Sequence, residues 1–332
     1  MSTVSKNSAE NLEIQARLDR KAARKNVFDM VIPYVGLIFC LVFFSIVTNG
    51  LFLSSKNLMN MIEQCFTLVI IAVGASFVYA QGNMDFSIGS ACGVAQMVGG
   101  LLLLKLNFPI YIVIPVMILV PVASCLLVSL ISAVFHVPVF IGSMCIRSLL
   151  AGLLTIGVAK AELIIPISDY PVLSNDAVKI ITLIAVIGIG MYFFHFHRVG
   201  KWAKLIGGNQ VTAAQAGVRV KNQIFLAYAI LGACVGITAV FTMFRTGTVS
   251  AQSGSGIEFS MMLAIVLGGF PMSGGEKSRM VSAIVGAVTV TMLTNGLALW
   301  GIDPNIIGGI KGVIFVVIIA LTYDRSAGKL VS

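Results

Sequence analysis

The sequence predicts an all-α polytopic membrane protein of about ten transmembrane helices, and three observations carry that expectation. Only 11% of its 332 residues are charged, 58% are hydrophobic and the mean hydropathy is +1.00, whereas soluble domains carry roughly 25% charged residues. A window of about 19 residues finds one apolar stretch after another. The basic residues concentrate in alternate connections, as in a chain that crosses a membrane repeatedly.

Apolar stretches cover residues 31–53, 59–80, 84–104, 109–132, 137–159, 178–197, 223–245, 280–300 and 304–323. Most are long enough to cross about 30 Å of hydrocarbon as a helix. A tenth, FSMMLAIVLGGF from Phe259, crosses only if its glycine-rich flanks continue it as a broken span. Residues 1–29 read as a polar tail rather than a signal peptide, because the apolar run behind them is too long and lacks a small-residue cleavage site. Within the tail, Ile14, Leu18 and Ala22 recur at helical spacing among Arg17, Arg20, Lys21 and Arg24. That pattern is open to a helix lying on anionic lipid or, more simply, to a solvated tail. Residues 30–325 form the membrane domain and 326–332 a short C-terminal tail.

Charge sets the expected orientation. Of 22 lysines and arginines, six lie in the N-terminal tail and five in the 198–221 connection. The positive-inside rule makes both cytoplasmic, and the six spans between them return the chain to the same side. Both termini are then cytoplasmic, with fifteen basic residues inside, five outside and two, Arg147 and Lys311, within spans. The formal charge of +9 thus follows membrane sidedness, with no dense basic run interleaved with aromatics, so no nucleic-acid partner is expected.

Enzyme chemistry finds little support. Cys40, Cys65, Cys92, Cys125, Cys145 and Cys234 all fall within apolar stretches with no CxxC pair and read as small buried hydrophobes. The histidines are His136, His195 and His197, and the last two, at i and i+2, point to different faces of a helix. No metal site, cofactor or catalytic residue is assigned. GGFPMSGGEKS, from Gly268, superficially resembles a phosphate loop, but Gly275 follows Gly269 and Gly274 where G-x-x-x-x-G-K-[ST] requires lysine, and no strand pattern precedes it. The chain is not expected to bind ATP by itself.

The informative residues are polar groups set in apolar surroundings. QGNMDFSIGS, from Gln81, places Asn83, Asp85 and Ser87 at a junction where Gly82 and Gly89 permit a break in the helix. A carboxylate at such depth marks a pathway or a buried pair. GIEFS, from Gly256, echoes it: Asp85, Phe86 and Ser87 match Glu258, Phe259 and Ser260. The motifs open spans three and eight, and an odd offset of five spans would make the halves inverted repeats, an architecture with a substrate route at the repeat interface and discontinuous helices.

With these residues in hand, the chain resembles the permease subunit of bacterial ATP-binding-cassette importers of the ribose and galactoside type, a branch that includes autoinducer-2 and other monosaccharide systems. The resemblance rests on GNMDFSIGS, VPVFIGSMCIRSLLAGL from Val137, IGGNQVTAAQAGV, GSGIEFSMMLAIVLGGFPMSGG and TNGLALWGIDPNIIGGIKGVIFV from Thr294, in family order over roughly residues 30–325. It implies two permease subunits, identical or not, forming a pore in the bacterial inner membrane. It also implies cytoplasmic ATPase subunits and an extracytoplasmic sugar-binding protein. Asn83, Asp85, Ser87, Glu258, Ser260 and Asn295 are the candidates for the substrate pathway. The segment 205–221 corresponds to the cytoplasmic coupling helix, with Gly208, Asn209, Thr212, Ala213, Ala214 and Gly217 as ATPase-contacting candidates. Val211, Ala214 and Val218 are expected to share one side of that helix at i, i+3 and i+7. Family members often carry acidic residues after the asparagine, a pattern from which this chain departs with Gln210 and Val211. A secondary transporter is the rival reading, since intramembrane charges and inverted repeats suit one as well.

Overall fold

The computed structural model describes residues 34–135, 137–159 and 162–322. The tail helix, His136, Lys160 and the C-terminal tail lie outside them. Among the described residues the chain is helical almost throughout. Its helices are α1 (Tyr34–Val47), α2 (Ser55–Ala80), α3 (Ile88–Leu104), α4 (Ile110–Phe135), α5 (Val139–Gly157), the single turn α6 (Pro171–Ser174), α7 (Asp176–His195), α8 (Arg198–Gly208), α9 (Gln210–Gln215), α10 (Val220–Thr246), α11 (Ile257–Leu267), α12 (Met280–Leu299) and α13 (Pro304–Thr322). The exception is a ribbon of two-residue strands, β1 (Leu163–Ile164) and β2 (Thr248–Val249), paired antiparallel.

Six helices, α2, α4, α5, α7, α10 and α12, are long and apolar enough to cross a membrane, and four shorter apolar helices lie in α1, α3, α11 and α13. Together they account for the ten expected spans, in an all-α polytopic membrane protein. The two spans opened by the echoing motifs differ from the hydropathy reading. The chain leaves the helix at Gln81 and re-enters it only at Ile88. Helix α11 has 11 residues, a length of about 16 Å, half of what a hydrocarbon core requires.

Helices α2 and α10 form the centre, with α3 and α4 packed on one side and α11 and α12 on the other. Small residues bring them together. Gly232 and Gly236 of α10 face the backbone of α4 at Val122 and Ile118, where a Cβ on either glycine would stand 2.5 Å from the facing Cα. This is the GxxxG spacing that lets membrane helices approach closely. Ser54 caps α2 by accepting a hydrogen bond from the Asn57 amide, and Asn175 does the same for α7 at Ala177, satisfying otherwise orphaned donors.

Candidate solute pathway and coupling segment

The two interrupted helices meet. Where α2 ends, the backbone of residues 81–87 must satisfy its polar groups without helix bonds, and neighbouring elements supply partners. The Gly275 amide donates to the Ala80 carbonyl at 2.9 Å, Gln81 Nε2 to the Gln223 carbonyl at 3.1 Å, and the Phe86 amide to Ser143 Oγ at 3.2 Å. The buried Asp85 carboxylate accepts from both the amide and the hydroxyl of Ser87, at 2.6 and 2.7 Å through Oδ1. Among the described residues its Oδ2 has no partner, nor do the buried hydroxyls of Tyr79 and Tyr228. Asp85 and Ser87 thus form a closed local unit that shapes the entry into α3.

The matched motif at α11 is organised by cations instead. Arg147 of α5 reaches Glu258 with Nη2 2.8 Å from Oε1, the carboxylate side chain being 1% exposed and the arginine side chain 34%. The same guanidinium lies 5.6 Å from the Phe259 ring centroid. Lys311 of α13 donates to Ser260 Oγ at 2.9 Å. The two intramembrane cations therefore converge on the first turn of one half-length helix. Phe86 and Phe259, matched positions of the two motifs, are in edge contact at 5.9 Å, and Phe140 closes on Phe86 at 5.1 Å.

Cavities lie towards both ends of this aromatic layer. At the α9 end a cavity of about 460 Å³ is lined by Asn83, Ser132, Val139, Gln210, Val211 and Ala214. Towards the other end, one of about 160 Å³ holds Arg147, Ser90, Ser253 and Glu258, and one of about 240 Å³ holds Lys311, Arg245, Ser260 and several threonines. Along α5, Val139 borders the first cavity and Arg147 the second, with Phe140 between them.

Residues 205–221, the candidate coupling segment, comprise the end of α8, all of α9 and the first residues of α10. Asn209 caps α9, its Oδ1 accepting from the amides of Val211 and Thr212. Gly217, in the left-handed region at φ +83°, ends the segment's helical course. That termination corrects the expected helical face. Val218 no longer follows Val211 and Ala214 but buries with Ala213 and Ile206, whereas Val211 and Ala214 are exposed. Ala213, at 2% exposure, holds the segment together from inside; Gly208, Thr212 and Gly217 are exposed. Lys204 of α8 lies 4.8 Å from the Phe194 ring centroid. Burial pushes its pKa down and Arg279 adds to the effect, against the pull of Glu276.

Of the pathway candidates, Asn83 lines the cavity beside α9, and Glu258 and Ser260 line the two beyond the aromatic layer. Asn295 does not join them: its Oδ1 accepts from Asn57 Nδ2 at 3.0 Å in the contact between α2 and α12. The sequence reading missed Gly207. A Cβ there would collide with the Ala80 carbonyl and the Gly275 amide, so α8 presses directly on the end of α2 and on the connection between α11 and α12. Its only sequence signal is the glycine pair before Asn209.

Ten apolar helices, two of them interrupted where cavities approach from opposite ends, define a polytopic membrane transport protein. A family model described as "Branched-chain amino acid transport system / permease component" matches residues 57–319. The chain belongs to that permease family. The ribose import permease RbsC of Haemophilus influenzae is 26% identical over 280 residues, covering 81% of this chain and 85% of that one. RbsC of Bacillus subtilis is 23% identical over 314 residues, or 89% and 93% of the two chains. The galactose/methyl galactoside import permease MglC of Escherichia coli is 26% identical over 304 residues, or 84% and 89%. No solved structure matches.

Proposed function

We propose that this chain is the transmembrane subunit of an ATP-driven importer that carries a monosaccharide or similar small polar solute into a bacterial cell by alternating access. The observation that carries the reading is the shared cavity at the α9 end. Asn83, from the break after α2, and Gln210, Val211 and Ala214, from the coupling segment, line one space, so a partner that moves α9 acts directly on the interrupted helix. The relatives named for ribose and galactoside import favour a sugar as cargo. Arg198, Lys201, Arg219 and Lys221 are exposed around the coupling segment, which favours the cytoplasmic side for it and for both termini. ATP hydrolysis resides on separate ATPase subunits, and an extracytoplasmic binding protein delivers the solute.

A second permease subunit completes the pore against α5. This helix exposes Cys145, Ser148, Gly152 and Thr155, a stripe of small residues at spacings of three and four that suits helix packing better than lipid. The decisive experiment reconstitutes the chain with its native partners in liposomes. Uptake that needs both ATP and the binding protein supports the importer; uptake that survives without either favours the secondary transporter.

Topology has its own test. On a background without native cysteines, Asp169→Cys and Asp303→Cys are expected to react with an impermeant thiol reagent in intact cells, and Lys204→Cys is not. Labelling at 204 from outside overturns the orientation.

Asp85 serves as a brace for the broken helix. Asp85→Leu removes the acceptor of two buried donors, each worth about 1–3 kcal/mol when left unmade. It is expected to abolish uptake while membrane insertion and complex assembly persist, and Asp85→Asn, which keeps an acceptor, to retain part of the activity. Normal transport by Asp85→Leu rules the brace out.

A further inference from the structure

The 160 Å³ cavity beside α5 opens on that helix's outer face, where Ser148 and Ala151 are exposed. It lies where the two interrupted helices meet. Ser90 comes from the first turn of α3, Glu258 from that of α11, and Ser253 and Ser255 from the connection before α11. Glycine makes the junction close: a Cβ on Gly93 of α3 would collide with the Ser253 carbonyl, so the connection is pressed against the helix and its serines are held in place.

Arg147 is fixed on two sides. Glu258 Oε1 takes its Nη2 at 2.8 Å, and the guanidinium stands over the Phe259 ring at 5.6 Å. The side chain is still 34% exposed, which leaves the other donors of a rigid planar fork for an occupant of the cavity. Ser148 Oγ donates to the Met144 carbonyl at 3.1 Å, and Ser253 Oγ accepts from the Ser250 amide at 3.0 Å. Ser148 is therefore left as an acceptor and Ser253 as a donor. The one cation and the one anion of the lining are paired with each other. A charged occupant would add an unbalanced charge at this depth, whereas a solute whose hydroxyls both donate and accept matches the wall.

We propose that this cavity binds one neutral monosaccharide, with Arg147 donating to adjacent hydroxyls and Ser148 and Ser253 serving as acceptor and donor to others. The proposal rests on the importer reading in taking that sugar to be the cargo.

The test uses the full-length permease on a cysteine-free background with Ser255→Cys, purified into phosphatidylcholine nanodiscs, and follows the rate at which a neutral maleimide modifies that thiol. Ribose or galactose is expected to slow modification at least about threefold at a saturating concentration, and the charged sugars galacturonate and galactosamine to leave it unchanged. Arg147→Lys keeps a cation beside Glu258 but loses the fork. It is expected to raise the half-protecting concentration at least about tenfold, the worth of a charge-assisted hydrogen bond, and Ser253→Ala to raise it about threefold. Thermal melting without sugar verifies that each variant is folded, and if Arg147→Lys melts early, Ser253→Ala decides. No protection by either neutral sugar, equal protection by galacturonate or galactosamine, or an unchanged half-protecting concentration in the folded variants overturns the proposal. The two readings fail separately. ATP-dependent sugar uptake by the reconstituted complex with no protection at residue 255 removes the site and leaves the importer; Arg147-dependent protection with no ATP-dependent uptake of any sugar does the reverse.

Discussion

Val211→Asp combined with Ala214→Trp is expected to leave the chain inserted and folded, yet to release the ATPase subunits and reduce ATP-driven uptake to background. Both side chains are exposed on α9, where they also line the cavity shared with Asn83, so release of the ATPase rather than lost uptake is the readout of docking, and neither belongs to the Ile206, Ala213 and Val218 cluster that fixes the segment's shape. Overfilling a packed contact costs about 1–3 kcal/mol, and a carboxylate buried without a partner adds further to that loss. Ala213→Glu is a different experiment: with Ala213 buried inside the segment, it should disorder α8 and α9 and reports on folding rather than docking. Val172→Asp, exposed on α6 in the 160–177 connection, is a suitable control for ATPase association. Lys179 is unsuitable because it bridges Glu63 and Asp176. Retention of the ATPase together with normal uptake by the double variant would remove α9 from the coupling path.

Arg147→Leu should produce the largest loss of stability. It leaves the Glu258 carboxylate, 1% exposed, buried without its cation, and breaking a buried pair from one side typically costs 3–5 kcal/mol. The guanidinium side is 34% exposed, so water reaches the pair and the lower end, about 3 kcal/mol, is expected. The measurement is the thermal midpoint in detergent, with uptake alongside. Glu258→Gln added to Arg147→Leu should recover most of the lost stability, because the uncompensated charge disappears. Purely additive effects of the two substitutions would show that they do not act as a pair.

Much of the candidate site was legible in the chain, and the illegible part has a common cause. The acid, Phe and Ser order at 85–87 and 258–260 marked both helix interruptions, because carboxylates and glycines in apolar surroundings are conspicuous. Phe86 and Phe259 then turned out to touch. What each ion pairs with was hidden: Arg147 with Glu258 and Lys311 with Ser260 are contacts between distant segments that no local pattern encodes. Asn57 as the partner of Asn295 was hidden for the same reason. The face of α9 was misread because the i, i+3, i+7 rule assumes an unbroken helix, and Gly217 ends this one. The Gly232 and Gly236 spacing was available in the sequence as a packing signal; only the α4 backbone opposite it identified the partner.

The sequence by itself determined the number of apolar crossings, the asymmetry of basic residues between alternate connections, and the places where helices break. Each follows from the transfer of residues between water and hydrocarbon, a property of composition along the chain. Only the tertiary structure decided which crossings are interior. Helix α7 is more apolar than α2, yet 11% of its most apolar window is buried inside the protein against 72% for α2. Lipid and protein interior solvate an apolar side chain about equally well, so hydropathy cannot separate them. Close packing separates them, through small residues such as Gly74 of α2, which lies against Cys234 and Leu231 of α10, and through the pairing of buried ions across the bundle.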